Sequence, residues 1–288
     1  MRPFLFPFLF LLGLTFCLPP AHARALDAAH VTRLATLRSS AVVIVDPKTK
    51  AVLYQKNAGA VMPIASLTKL MTAMVVLDAR QDMKQKLTIT KADIDRLKHS
   101  SSRLQVGTSL TRADMLHLAL MSSENRAASA LGRHYPGGTR SFVKAMNAKA
   151  RALGMTRTHY VEPTGLSRAN VSTPADLAKL VVAAERNPVI RRYSTDRHFV
   201  IRQGKARTVY RNTNRLTASA RWRIRLQKTG YISEAGRCMV LYAIVKNRPT
   251  VMVFLDAQGK LSHAADANRV RAWLARFGAR ILAHARGS

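Results

Sequence analysis

Residues 66–77 read Ser-Leu-Thr-Lys-Leu-Met-Thr-Ala-Met-Val-Val-Leu, and Pro63 and Ala65 lie just ahead of them. Leu67, Leu70, Met71, Ala73, Met74, Val75, Val76 and Leu77 leave hardly a polar face at helical spacing. A helix that is apolar all round is buried in the middle of a domain, so this stretch is expected to form the centre of the fold. Its first turn carries chemistry. Ser66 and Lys69 are three residues apart and share a face, within reach of each other. The positive end of the helix dipole favours negative charge at Ser66, and packing Lys69 among apolar side chains lowers its pKa toward that of a usable base.

Outward from that helix the pattern changes at both ends. Ala41–Val45, the turn residues Asp46–Lys50 and Ala51–Tyr54 read as an antiparallel hairpin. Leu26–Leu37 ahead of it has helical spacing. Downstream, Leu110–Met121 and Asn125–His134 read as two helices joined by the short link Ser122-Ser123-Glu124, and Phe142–Leu153 and Pro174–Glu185 as two more. Strand patterns return at Arg223–Gln227, Arg237–Val245 and Thr250–Leu255, and an amphipathic helix with Val270, Trp273, Leu274, Phe277 and Ile281 on one face follows. Strands at both ends with helices between them predict an α+β domain. One antiparallel sheet would be built from both chain ends and flanked by helices, with an all-helical lobe inserted.

The 288 residues carry 47 Lys and Arg against 15 Asp and Glu, a formal net charge of +32. That balance points to an anionic environment, although basic helix faces such as Arg269, Arg271, Arg276 and Arg280 are commonly just solvated. Two cysteines, Cys17 and Cys238, cannot build a disulfide scaffold or a Cys-rich zinc site, and no His pair brackets a Glu at metal-binding spacing. No metal or other cofactor is expected. Residues 1–23 read as a cleavable signal peptide, with Arg2, the apolar run Phe4–Leu18 and Ala21-His22-Ala23 in sequence. The mature chain from residue 24 is then expected in a bacterial periplasm, soluble or loosely held to the envelope. It would form one catalytic domain, with a sheet lobe at about 24–64 and 200–288 and a helical lobe at about 65–199. An export signal and the lack of a recognition motif argue against nucleic acid as partner.

Ser66-x-x-Lys69 alone decides nothing, since Ser141-Phe142-Val143-Lys144 repeats it on an ordinary amphipathic helix. Two further signals matter. Ser123-Glu124-Asn125 sits in a tight link, where a hydroxyl and an amide can project, or can simply cap the next helix. Lys228-Thr229-Gly230 closes a strand pattern. There a charge and a hydroxyl can meet a carboxylate, and Gly230 lets a ligand backbone approach the strand edge.

Ser-x-x-Lys, Ser-x-Asn and Lys-Thr-Gly in this order are the set found in penicillin-binding proteins and class A β-lactamases. The chain resembles the low-molecular-mass penicillin-binding proteins, the serine D,D-peptidases, in MPIASLTKLMTAMVVLDA, ALMSSENRAASALGRHYPGG, YVEPTGLS and LQKTGYISEAGRC, and most of all their D-alanyl-D-alanine endopeptidase branch. The resemblance covers essentially the whole mature chain and departs from the motif at Glu124. It implies a β-lactamase/D,D-peptidase-like fold acting on peptidoglycan peptide stems, with β-lactams as covalent inhibitors. It implies Ser66 as nucleophile, Lys69 as base and Ser123 as proton relay. Asn125 would hold the substrate amide, Lys228 and Thr229 its carboxylate, and the N–H groups of Ser66 and Tyr231 an oxyanion. Whether Lys69 or the Ser123–Lys228 pair is the working base stays open here. Glu162-Pro163-Thr164-Gly165-Leu166 is similar to the deacylating segment of class A β-lactamases but lacks its asparagine, and Gly165 suggests a turn. The 58 residues after Gly230 leave room for the last strands and closing helix. That favours an endopeptidase over a carboxypeptidase carrying a further domain and anchor. A catalytically silent, basic wall-binding protein is the rival outside the enzymes.

Overall fold

The computed structural model describes residue 34, residues 36–203 and residues 206–284. The signal segment 1–23 and nearly all of the helix expected over residues 26–37 lie outside the described residues.

In chain order the hairpin β1 (Ser39–Val45) and β2 (Val52–Lys56) comes first, then β3 (Met62–Pro63), a 3-10 turn at Ala65–Leu67 and α1 (Thr68–Asp78). β4 (Lys86–Thr88), β5 (Ser109–Thr111), α2 (Arg112–Met121), α3 (Asn125–Arg133) and α4 (Gly138–Ala152) follow. Next are β6 (Val171–Ser172), α5 (Pro174–Glu185), α6 (Pro188–Thr195), β7 (His198–Gln203) and β8 (Ala206–Arg211). β9 (Arg223–Ile232), β10 (Gly236–Val245), β11 (Arg248–Ala257) and α7 (Ser262–His284) complete the described chain.

The expected sheet is borne out: five strands in the order β2-β1-β11-β10-β9, each pair antiparallel. Local chemistry sets its turns. The Asp46 carboxylate accepts the N–H of Lys48 at 2.8 Å and of Thr49 at 3.2 Å, closing the first hairpin. Lys246 and Asn247, both at positive φ, form the two-residue turn between β10 and β11. Residues alternate along the strands. Ala41, Val43, Val240, Val251, Val253 and Leu255 join the cluster that includes Leu177, Leu180 and Val181 of α5. Their neighbours Val42, Ile44, Met239, Leu241, Met252 and Phe254 are equally buried outside that cluster. They belong to the opposite face, where Ala267, Val270, Trp273 and Leu274 of α7 are buried.

α1 is buried from Thr68 to Val76, as its all-apolar composition requires. The insert between β2 and β9 is not purely helical. Three two-stranded ribbons, β3–β6, β4–β5 and β7–β8, accompany its helices. They are short or rich in charge, so no clean period-2 hydrophobic pattern announces them. β9 also runs on through Lys228-Thr229-Gly230 to Ile232 instead of ending at Gln227. The motif lies inside an edge strand, with Met239 paired to Thr229 and Val240 to Lys228.

Candidate active site

Ser66 lies in the 3-10 turn that opens α1, and the ammonium of Lys69, fully buried one turn on, donates to Ser66 Oγ at 2.8 Å. The same Nζ donates to Asn125 Oδ1 at 2.8 Å and to the Thr164 carbonyl at 2.7 Å, so three acceptors meet its three N–H bonds. Burial lowers the Lys69 pKa to about 8, against the opposing pull of Glu162, Glu124 and Asp95. The lowered lysine pKa expected from the sequence is therefore present, with the side chain held by a link and a loop distant in the chain.

Ser123 stands between α2 and α3 at φ +61, a left-handed conformation that costs a non-glycine residue about 1–3 kcal/mol. Glu124 caps α3 by accepting the Arg126 N–H at 3.2 Å. The capping expected of this link thus falls to Glu124, which frees the Ser123 hydroxyl and the Asn125 amide to project. Lys228 Nζ, fully buried on β9, donates to Ser123 Oγ at 2.8 Å and to the Thr229 carbonyl at 2.8 Å. Its pKa is pushed well below the usual lysine value by burial and then by the Lys69 charge. Asn125 Nδ2 donates to Ser100 Oγ at 2.9 Å, whose hydroxyl donates to Asp95 at 2.6 Å.

β9 presses against the turn that carries Ser66. A Cβ on Gly230 would sit 2.9 Å from the Ser66 nitrogen and 3.0 Å from the Ala65 Cβ, so this crossing needs glycine. From the other side, Gly165 at φ +83 leaves no room for a Cβ, which would fall 2.0 Å from the Ala65 carbonyl oxygen. Ala65 itself is held at φ +46 between them. Ser66, Ser123, Asn125, Thr229, Gly230 and Tyr231 all line one cavity of about 600 Å³.

Every singled-out site residue therefore meets in one place. Lys69 and Lys228 lie beneath the cavity and reach it through the two serines. Ser141 and Lys144 do not join them: they sit on α4, with Lys144 exposed. The Glu162 carboxylate is occupied by its own loop, accepting from Thr164 N at 2.6 Å, Gly165 N at 2.6 Å and Asn170 Nδ2 at 2.9 Å. That argues against a free deacylating base. Sequence reasoning missed Ser100, Asn170 and Thr213, whose hydroxyl meets Thr229 Oγ1 at 2.7 Å. Nothing in their own surroundings marks them.

The sequence model described as D-alanyl-D-alanine carboxypeptidase matches residues 27–259. The chain belongs to that family. The serine hydrolase class and the penicillin-binding resemblance are borne out with it. The chain is 48% identical over 240 residues to a Pseudomonas aeruginosa protein named D-alanyl-D-alanine endopeptidase, covering 83% of this chain and 77% of that one. It is 44% identical over 270 residues to the Escherichia coli protein of the same name, with coverage of 92% and 87%. The ampicillin-bound structure of penicillin-binding protein D2 from Listeria monocytogenes superposes with a TM-score of 0.70 at 28% identity, over 82% of this chain and 97% of that one.

Proposed function

We propose that the chain is a serine D,D-endopeptidase that opens D-alanyl cross-links between peptidoglycan stems from the periplasm, and that β-lactams acylate its Ser66. The observation that carries this reading is the contact of a buried, pKa-lowered lysine with Ser66 in a cavity that a second serine–lysine pair closes.

In this reading Lys69, neutral at the start, takes the Ser66 proton as Oγ bonds to the D-alanyl carbonyl carbon. The N–H groups of Ser66 and Tyr231 receive the oxyanion. The carbon–nitrogen bond then breaks, and the leaving amine takes the Ser123 proton while Lys228 gives one of its own to Ser123. Water reverses the relay: its proton returns through Ser123 to Lys228, and Lys69 gives its proton back to Ser66. Lys69 is assigned as base because its Nζ touches Ser66, whereas that of Lys228 touches Ser123. Repulsion between the two ammonium groups disfavours both being charged, which suits a cycle that leaves Lys69 neutral in the free enzyme and Lys228 neutral in the acyl-enzyme. Asn125 would hold the substrate amide, and Thr229 with Lys228 the carboxylate on the leaving side.

The two relatives named endopeptidases favour cross-link cleavage, while the family description supports a carboxypeptidase as second reading. Among the described residues no helix is long and apolar enough to cross a membrane. The net charge of +32 supports electrostatic contact with the anionic envelope. Purified sacculi digested with the protein and with Ser66→Ala test the reading. Loss of cross-linked dimers, absent with Ser66→Ala, is expected. Loss of terminal D-alanine alone makes it a carboxypeptidase, and binding without cleavage or penicillin labelling makes it a silent wall-binding protein.

A further inference from the structure

Beyond Thr229 the cavity continues along β9 toward α7. Thr229 and Tyr231 are two residues apart in the strand, so they share a face and are about 7 Å apart. Arg237 pairs across the ladder with Tyr231 and lies on that face too, its guanidinium 4.8 Å from the centre of the exposed Tyr231 ring. Among the described residues this guanidinium has no carboxylate partner. His263, in the first turn of α7, lines the same wall, and its buried Nδ1 lacks a hydrogen-bond partner among the described residues. Burial and then the Arg237 charge hold its imidazole below the ordinary pKa, which favours the uncharged ring. Arg215 and Lys98 are the other cations of the lining, which holds no Asp or Glu. Lys98 is already taken by Glu234.

Resting on the endopeptidase reading, we infer that Arg237 and His263 form a second carboxylate subsite on the leaving side of the scissile bond. It would take a free carboxylate one residue beyond the one held by Thr229. A planar guanidinium offers a carboxylate two parallel N–H donors, and the imidazole offers a third. The Tyr231 ring keeps the guanidinium from collapsing onto the sheet. The preferred substrate is then a cross-linked stem whose departing half carries two carboxylates, as against a small dipeptide end with one.

Two synthetic D-alanyl-linked branched peptides test this, identical except that the second leaving-side carboxylate is free in one and amidated in the other. The wild-type protein is expected to prefer the acid by about tenfold or more in kcat/KM, through KM, as for a charged hydrogen bond. Arg237→Gln is expected to prefer neither peptide, Arg237→Lys to keep part of the preference, and His263→Gln to reduce it. Equal use of the two peptides by the wild type, or an undiminished preference in Arg237→Gln, overturns the subsite. If the wild type cleaves neither peptide, the proposed reaction fails instead. Calorimetric binding of the two peptides to Ser66→Ala then still decides the subsite by the same tenfold difference.

Discussion

A lysine removed from water holds its proton less tightly because its charged form has lost its hydration, so more of it is neutral and able to act as a base near neutral pH, and Lys69 is fully buried. With its pKa near 8, the neutral form grows about tenfold per pH unit below 7 and levels off above 8. Acylation by a fluorescent penicillin, followed by stopped flow, should rise with pH on that curve. A flat profile from pH 6 to 9 would remove Lys69 as base. Gly230 answers to geometry. A methyl group there must push β9 away from the Ser66 nitrogen, which it would approach to 2.9 Å, and a displacement near 1 Å costs about 10²-fold in rate. Gly230→Ala should therefore slow acylation by about that factor while leaving the thermal unfolding temperature within a few degrees of wild type.

The loop of Glu162–Gly165 and the first turn of α1 are one unit, and Asn170 stitches them. Its fully buried side chain donates to Thr68 Oγ1 at 3.1 Å and to the Glu162 carbonyl and carboxylate at 2.9 Å each, and accepts from Val161 N at 2.8 Å. Its own carbonyl accepts the Ile64 N–H at 3.1 Å. Replacing Asn170 by Ala leaves several of these buried groups unpaired and should cost about 2–4 kcal/mol in urea denaturation. Acylation should slow as well, because the Thr164 carbonyl that holds Lys69 belongs to the same loop. A loss below about 0.5 kcal/mol would show that the loop stands without it. Periodicity announced α1, α5 and the first hairpin nearly to the residue, since α1, α5 and β1 each bury an apolar set and turn residues mark the start of β2. α6 was not expected from the sequence; its start signal is Asn187-Pro188, where the Asn187 side chain accepts from Val189 N at 2.9 Å. The β7–β8 ribbon gave none, because its pairing partner and not its own pattern makes it a strand.

Across the molecule 47 basic residues face 15 acidic ones. Attraction between this surface and an anionic wall depends on unscreened charge, and the Debye length falls from about 10 Å at 0.1 M salt to about 3 Å at 1 M. Binding of Ser66→Ala to sacculi, measured by sedimentation, should therefore drop several-fold over that range. Retention that ignores salt would place the affinity in the cavity and not in the charge. The five-stranded sheet packs helices on both faces, and its edge strand β9 brings Lys228 to the serine that precedes α3. One edge strand thus completes a site otherwise built from helix starts and loops.

Spacing along the chain was enough to pair Ser66 with Lys69, because one helical turn separates them whatever else the chain does. Alternation was likewise enough for the sheet strands, whose apolar faces must be buried. Asn125, Ser123 and Lys228 could be nominated in advance only through the resemblance of their motifs, as their neighbours gave equal support to a cap and a solvated strand end. Folding alone assigned Glu124 to the cap, closed Glu162 within its loop and brought Ser100, Asn170, Thr213, Arg237 and His263 to the site. Each of those depends on contact between segments far apart in the chain, and such contact leaves no local periodicity or turn chemistry to read.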